Sequence, residues 1–345
     1  MTPAPVDRAQ RMPAHAAAPA IWDWRYGVGD DKTQALYKKA VSEQWQADHL
    51  NWAYVIDPAR GLLDPGRDTF IDAEFLRPLG ASQREEFVAL CVADTLSQIL
   101  HGEQGALLVS CQLAQSLPDK DAKLFAAAQA MDEARHIEVF SRYVRRLRQV
   151  FAPAATLCRV LDKVVSARHW QAQLVGMQIM VEGLALANFS KARAATNCDL
   201  LRDLLKFVMR DEARHVAFGN HYLKTILSDM HPDDRAEVED FAVEMVKAYR
   251  GWGRDPEDMA GIFANLIQVG VDPLDYLARL KANLAANGSI DLAPKMMQGL
   301  EAIIMPGLKR VGLITDRVRH CYLADELDSA ADARTLEDLE KSLLA

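Results

Sequence analysis

The sequence of 345 residues predicts an all-α protein built around a four-helix bundle, with additional N- and C-terminal helices. Apolar residues recur at helical spacing along most of the chain, and no run of alternating polar and apolar residues indicates strands. Two identical pentads, Asp132–His136 and Asp211–His215, read Asp-Glu-Ala-Arg-His. A further glutamate lies 30 residues before the glutamate of each pentad, which indicates that a two-helix unit occurs twice.

The predicted helices are separated by turns rich in proline and glycine. Residues 1–20, rich in Ala and Pro, are expected to form a flexible leader, and residues 21–323 a single helical domain. Within that domain we expect a metal-binding core at about 82–230 and accessory helices at 231–323, which pack or form interfaces. The acidic stretch 324–345 is expected to be a solvated helix or a mobile tail. A first helix is predicted over residues 33–52, and the four long helices over residues 82–117, 120–150, 168–196 and 199–230.

Each pentad ends in Glu-x-x-His, and residues three apart on a helix share one face, so a carboxylate and an imidazole would point to one place. The glutamate upstream interrupts an apolar stripe, where a carboxylate is costly unless it is paired or binds a cation. One Glu from each of two helices and Glu-x-x-His from two more form the ligand set of ferritin-like di-iron and di-manganese bundles. The six candidate metal ligands are Glu103, Glu133, His136, Glu182, Glu212 and His215.

The donor types favour two Fe ions, or a Mn/Fe pair, over structural zinc or calcium. Four carboxylates also nearly neutralise two divalent cations. Asp132 and Asp211 are expected to accept the second N–H of a ligating histidine from the other half, and Arg135 and Arg214 to pair with those aspartates. The alternative for a single pentad is a surface helix with mixed charges, and the duplication makes that alternative much less favourable.

Composition excludes several other classes of protein. The formal charge of −8 argues against a dedicated nucleic-acid binder. Five widely spaced cysteines without a C-x-x-C pair suit a reducing cytoplasm, which is the expected location. No apolar run approaches the roughly 18 residues that a membrane span requires.

Two further stretches resemble known signatures: Leu36–Ala40, which is followed by Trp45, and Gly102–Ala106 around Glu103. With them, the chain resembles the bacterial ferritin-like di-iron oxidases and oxygenases related to the ribonucleotide reductase small subunit, over roughly residues 31–223. The resemblance implies a metal pair that activates O₂ to oxidise a small to medium hydrophobic organic substrate. It also implies a reductant or electron-donor protein as partner, and we expect a homodimer.

Several positions depart from individual subfamilies. Phe140 stands where the reductase subunit carries its radical tyrosine, and Met177 where R2-like ligand-binding oxidases carry a cross-linking tyrosine. Val208 stands where di-iron arylamine N-oxygenases add a histidine. Ala185 and Leu186 occupy the positions at which acyl-carrier desaturases and multicomponent hydroxylases place a threonine. The subfamily is therefore left open.

We expect an O₂-dependent oxidase or monooxygenase. A radical-generating subunit is the alternative among enzymes, disfavoured by Phe140, and a non-catalytic iron-binding or partner subunit is the alternative from another class, disfavoured by the complete ligand set. Small residues near Glu103 and Glu182 either leave room for a substrate or allow close helix packing; they are Gly105, Ala106, Gly183, Ala185 and Ala187.

Overall fold

The computed structural model describes residues 19–27, 29–57, 62, 76–250, 256–287 and 300–323. These residues are largely helical and contain no β-strand, which confirms the all-α prediction. Most of the expected leader and all of the acidic stretch 324–345 lie outside the described residues. Among the helices that are described, none is long and apolar enough to cross a membrane.

Twelve α-helices can be assigned within these ranges, together with one 3-10 turn at Ala47–His49 and π-helical segments at Val175–Val181 and Leu300–Ile304. The helices are α1 (Asp31–Ser42), α2 (Ala81–Ser116), α3 (Lys120–Leu147), α4 (Ala155–Val165), α5 (Trp170–Leu174), α6 (Glu182–Ala195), α7 (Asp199–Ile226), α8 (Pro232–Arg250), α9 (Pro256–Gln268), α10 (Pro273–Asn287), α11 (Met305–Arg310) and α12 (Arg319–Leu323).

The bundle consists of two helical hairpins. Helices α2 and α3 form the first, and α2 ends where Leu117 takes an extended backbone, because the following Pro118 disfavours a helical conformation there. The second hairpin pairs α7 with a continuous helical rod made of α5, the first π-helical segment and α6. Helix α1 lies across α3 and α7 and so contacts both hairpins.

Two apolar clusters fill the bundle, one on each side of its middle. Helix α2 contributes residues 89–100 to one cluster and residues 106–113 to the other. Helices α3 and α7 also pass from one cluster to the other, and the pentads lie between the two parts. The candidate ligands therefore occupy a polar layer enclosed by apolar packing at both ends, where water has little access.

The rod before Glu182 departs from the predicted continuous α-helix over residues 168–196. Residues Val175–Val181 form a π-helical turn that ends directly at Glu182, the first residue of α6. Such an extra residue in a helix changes the direction of the side chains that follow it. The chain accommodates the turn because Gly219 of α7 has no side chain at the point where Gln178 approaches.

Other boundaries also differ from the predictions. The first helix ends at Ser42 rather than near residue 52, since Gln44 and Trp45 leave the helix and hydrogen-bond to aspartates of the bundle. Helices α3 and α7 end about three to four residues earlier than predicted, at Leu147 and Ile226.

The accessory helices pack against the outside of the bundle. Helix α8 contacts α4 and α5, α9 contacts α2, and the Leu300–Ile304 segment with α11 contacts α6 and α7. A Cβ atom added at Gly105 would lie 2.6 Å from Cδ2 of Leu161, so this small residue serves close helix packing. Gly183 likewise faces Ile303, where an added Cβ atom would lie 3.2 Å from Cγ2.

We expect Gly219→Ala to destabilise the protein, because the new methyl group would lie 2.3 Å from Cβ of Gln178, close to its backbone. Overpacking of this kind costs about 1–3 kcal/mol. Gly102→Ala is the matched control, since its methyl group would meet nothing within 4 Å and alanine in a helix interior gains about 0.5–1 kcal/mol. Urea unfolding of the metal-free variants measures both changes, and equal stabilities would contradict the close contact.

Candidate metal centre

The structure brings the six candidate ligands together in the polar layer of the bundle. Glu103 comes from α2, Glu182 from the start of α6, and the two Glu-x-x-His pairs from α3 and α7. All six side chains are buried. His101, two residues before Glu103, lies apart from them and its Nε2 contacts the carbonyl oxygen of Phe151.

His136 faces three carboxylates through one ring nitrogen. Its Nδ1 lies 3.2 Å from Oε2 of Glu103 and 3.2 Å from Oε2 of Glu133. Oε1 of Glu212 lies 3.3 Å from the same nitrogen. These four side chains present their donor atoms within 4.8 Å of one another, so they could enclose one cation.

The second histidine has an equivalent arrangement. Nδ1 of His215 lies 3.3 Å from Oε1 of Glu133 and 3.4 Å from Oε2 of Glu182. Oε2 of Glu212 is also 3.4 Å away. Glu133 and Glu212 therefore each place one carboxylate oxygen near each histidine. Glu103 lies near His136 only, and Glu182 near His215 only. With this arrangement, Glu133 and Glu212 could each contribute to two cation positions, one at each histidine.

The donor set fits a pair of cations. Oε2 of Glu182, Oε2 of Glu212 and Nδ1 of His215 are buried and make no hydrogen bond in the described structure. Buried polar atoms are normally satisfied, and unpaired charges are costly in an apolar interior. Mixed carboxylate and imidazole donors suit iron or manganese better than softer or oxygen-only metals.

Burial raises the pKa of Glu103 well above its usual range and raises that of Glu182 to about 8. Burial also lowers the pKa of both histidines, but the surrounding carboxylates outweigh it and raise the pKa of His136 and His215. Because metal ligands must be deprotonated, metal binding should release protons from these groups.

A ring of charged side chains surrounds the outer nitrogens of the histidines. Nε2 of His136 lies 3.3 Å from Oδ2 of Asp211, and Nε2 of His215 lies 3.3 Å from Oδ2 of Asp132. Each aspartate thus contacts the histidine of the other half. Although burial opposes it, the bond from His136 lowers the pKa of Asp211 and keeps that carboxylate charged.

Both pentad arginines contact both aspartates. Arg135 pairs with Asp132 and lies 3.2 Å from Asp211. Arg214 pairs with Asp211 and lies 3.4 Å from Asp132. The two pentads are consequently cross-linked by their own charges, which compensate each other in a buried site.

Residues just after α1 complete this ring, and sequence reasoning missed their role. Nε1 of Trp45 donates to Oδ2 of Asp211 at 2.6 Å, and Nε2 of Gln44 donates to Oδ1 of Asp132 at 2.8 Å. Glu43 accepts a hydrogen bond of 2.9 Å from Nη1 of Arg214. The sequence draws attention to Trp45 through its place in the first-helix signature, but the signature does not indicate which residue Trp45 contacts.

Two buried glutamines also contact the candidate ligands and were not predicted. Nε2 of Gln129 donates to Oε1 of Glu182 at 2.6 Å and to Oε1 of Glu133 at 3.1 Å. Its Oε1 accepts a hydrogen bond of 2.9 Å from Nε2 of Gln178, which belongs to the π-helical turn. The contact between Gln129 and Glu133 could have been predicted, because Gln129 lies one helical turn before Glu133 on the same face of the helix.

A cavity of about 230 Å³ lies against the ligand helices. Gly183 and Val216, which line it, directly follow Glu182 and His215 in the sequence. At its exposed side, Nη1 of Arg310 donates to Oδ1 of Asn220 at 3.2 Å. The complete lining is Ile179, Gly183, Val216, Asn220, Ile303, Pro306, Gly307 and Arg310. The accessory segment that carries Ile303 and Arg310 therefore also forms part of the cavity wall.

Comparison with known proteins identifies the family. Residues 30–259, about two thirds of the chain, match the family model described as p-aminobenzoate N-oxygenase AurF. The chain belongs to this family. It is therefore an oxidoreductase, and the resemblance to di-iron oxidases and oxygenases is confirmed. A search of curated proteins gives no match.

Solved structures with a similar fold include two single-residue mutants of an R2-like ligand-binding oxidase, each with an anaerobically reconstituted Mn/Fe cofactor. A valine-to-leucine mutant is 16% identical, covers 84% of this chain and 95% of its own, and has a TM-score of 0.50. A valine-to-isoleucine mutant is 15% identical with the same coverage and TM-score. A Synechococcus protein with aldehyde deformylating oxidase activity is 18% identical, with 71% and 98% coverage and a TM-score of 0.46. The R2-like structures support the ferritin-like fold.

The chain belongs to the AurF family, although Val208 stands at the position where the arylamine N-oxygenases add a histidine. Val208 is fully buried in an apolar cluster and offers no donor atom. Phe140 and Met177 are also fully buried, and the Phe140 ring stacks on Phe189 at 5.7 Å. This member of the AurF family therefore has apolar packing at all three positions.

Substitution of a glutamate that faces both histidines should lower the metal content more than substitution of a glutamate that faces only one. Because Glu133 reaches both histidines, we expect Glu133→Ala to weaken both cation positions, whereas Glu103→Ala should affect only the position at His136. Metal analysis after anaerobic Fe(II) loading and desalting distinguishes the two variants. Glu138→Ala, an exposed change on the same helix α3, is the control. Full metal content in Glu133→Ala would contradict a bridging role.

Proposed function

We propose that this AurF-family protein uses O₂ and two Fe ions, or a Mn/Fe pair, to oxidise a small to medium organic substrate. The observation that carries the proposal is the paired geometry of the buried cluster, in which Glu133 and Glu212 each face both histidines. Glu103 and His136 would complete one metal position, and Glu182 and His215 the other.

The metal pair, when bound, supplies the binding and reductive activation of O₂. The protein prepares the donor atoms for it. Because Nε2 of each histidine can donate its hydrogen to an aspartate, Nδ1 would be free of its proton and could hold a metal. Gln129 holds Glu182 and Glu133 through its amide, and the apolar clusters on both sides keep bulk water away.

The cavity beside the ligand helices supports a substrate class. Ile179, Val216 and Ile303 offer apolar surface, whereas Arg310 places a cation at the exposed side. An aromatic amine with a carboxylate would match this division, with its ring among the apolar side chains and its carboxylate at the guanidinium. The family description names p-aminobenzoate, which has this chemistry. Monooxygenation consumes electrons beyond those that such a substrate supplies, so a reductant or an electron-donor protein is a proposed partner.

A single-turnover reaction tests the proposed oxidation. The protein is loaded anaerobically with Fe(II), desalted, and mixed with p-aminobenzoate and isotopically labelled O₂. We expect a two-metal complement, consumption of O₂ and a product that carries the label, detected by mass spectrometry. Glu212→Ala serves as the inactive control, because its carboxylate faces both positions. Absence of O₂ consumption by the metal-loaded wild type would refute the proposed function.

The role of Arg310 can be tested by comparing charged and neutral substrates. Because its side chain is exposed, its pairing with a carboxylate should contribute up to about 1 kcal/mol, or roughly a fivefold change in KM. We expect Arg310→Met to raise the KM for p-aminobenzoate but not for aniline. Lys309→Met removes a neighbouring charge that does not line the cavity and should change neither value. Equal effects on both substrates would contradict the assignment.

A further inference from the structure

A row of packed aromatic rings extends outward from His215. The Phe125 ring meets the imidazole edge-on, with centroids 6.4 Å apart and an interplanar angle of 84°. Phe125 stacks on Phe218 at 4.2 Å, and Phe218 stacks on Tyr222 at 5.2 Å. Every ring therefore contacts the next between a candidate metal ligand and a tyrosine in the outer part of the bundle.

The tyrosine at the end of this row has a proton acceptor. The Tyr222 hydroxyl donates a hydrogen bond to Oδ2 of Asp119, whose side chain is 48% exposed. Tyr222 itself is only 5% exposed. Both residues line a cavity of about 190 Å³ together with Asp30, Thr33 and Asp121. The pair thus lies where the interior meets an acidic, solvent-accessible cavity.

The first half of the duplicated unit provides an internal comparison. Tyr143 follows His136 by seven residues, as Tyr222 follows His215. Tyr143 is completely buried, and no carboxylate in the described part of the chain accepts a hydrogen bond from its hydroxyl. Val139 occupies the position that corresponds to Phe218. His136 instead lies 6.5 Å from the Trp45 ring, which stacks on Phe207 at 5.0 Å. The stacked pair of Phe218 and Tyr222, with a carboxylate that accepts the phenol hydrogen bond, therefore does not follow from the duplication.

We propose that Tyr222 is a redox-active outlet through which oxidising equivalents leave the metal pair at His215; this inference rests on the proposed function. The metal pair held by His215 and the surrounding glutamates would supply a one-electron oxidant after reaction with O₂, and the Tyr222 phenol would donate one electron to it through the packed rings. The O–H bond of Tyr222 breaks, its proton moves to Oδ2 of Asp119, and a neutral phenoxyl radical remains. The one-electron donor that the proposed oxidation requires returns the electron from the acidic cavity, and Asp119 returns the proton.

The geometry favours this route for two reasons. Tyr222 and His215 are seven residues apart on α7, about 10 Å along the helix axis. Electron tunnelling weakens steeply with distance and with through-space gaps, and successive ring centroids in the row are only 4.2 to 6.4 Å apart. Removal of an electron from a phenol makes its proton strongly acidic, and a cationic ring would be costly in apolar surroundings. Asp119 accepts that proton at the moment of oxidation.

The test is a freeze-quench electron paramagnetic resonance experiment on the full-length protein. The chain is produced with ring-deuterated tyrosine or with ordinary tyrosine, loaded with Fe(II), and exposed to O₂ without organic substrate. We expect a radical signal whose hyperfine pattern collapses on deuteration, which identifies it as tyrosyl. The signal should be lost in Tyr222→Phe and reduced in Phe218→Leu and Asp119→Asn. It should persist in Tyr143→Phe, the matched control.

The outcomes separate this inference from the proposed function. Metal content and O₂ consumption are measured on the same samples. If the wild type binds metal and consumes O₂ but forms no tyrosyl radical, or forms one that survives in Tyr222→Phe, the outlet is refuted and the proposed oxidation stands. If the wild type neither binds metal nor reacts with O₂, both are refuted. Loss of the signal in Tyr222→Phe at unchanged metal content supports the outlet.

Discussion

The burial of four carboxylates inside an apolar bundle is the constraint on which the rest of this structure depends. Each of these groups would be costly without a compensating charge or a hydrogen bond. Two histidines lie within 3.4 Å of them, and the amide of Gln129 satisfies Glu133 and Glu182 from one side. The apolar clusters above and below prevent water from supplying the remaining stabilisation. A pair of divalent cations would neutralise the negative charge of the carboxylates that these contacts leave uncompensated.

The pentads couple the two halves of the bundle, because the aspartate of each pentad contacts the histidine of the other. Asp211 contacts His136 and Asp132 contacts His215, so neither half has a complete histidine environment alone. The arginines reinforce this exchange by contacting both aspartates. In a duplicated unit, any pairing made by one copy is also available to the other. This reciprocity gives a physical reason why the two pentads read identically to the last residue.

Local geometry explains which parts of the molecule could be predicted from the sequence. Glu133 and His136 are three residues apart on one helix, so their convergence follows from helical periodicity, as it does for Glu212 and His215. The end of α1 could not be predicted in this way, because Trp45 leaves the helix to reach Asp211, 166 residues away. The π-helical turn before Glu182 likewise depends on the missing side chain of Gly219. Contacts between distant segments leave no periodic signal.

The two halves differ most where the histidines connect to the outside of the bundle. His136 is connected to Trp45 through hydrogen bonds to Asp211, and the Trp45 ring also lies 6.5 Å from the imidazole. His215 also contacts an aspartate, but its ring meets Phe125 and the aromatic row beyond it. Nε2 of His136 and Nε1 of Trp45 meet the same oxygen of Asp211, whereas the row beyond His215 ends at a phenol, which needs a proton acceptor when it is oxidised. Asp119 stands at that end, and the corresponding tyrosine of the first half has no such partner among the described residues. The candidate ligands thus keep the symmetry of the duplication, while the residues beyond the two histidines differ between the halves.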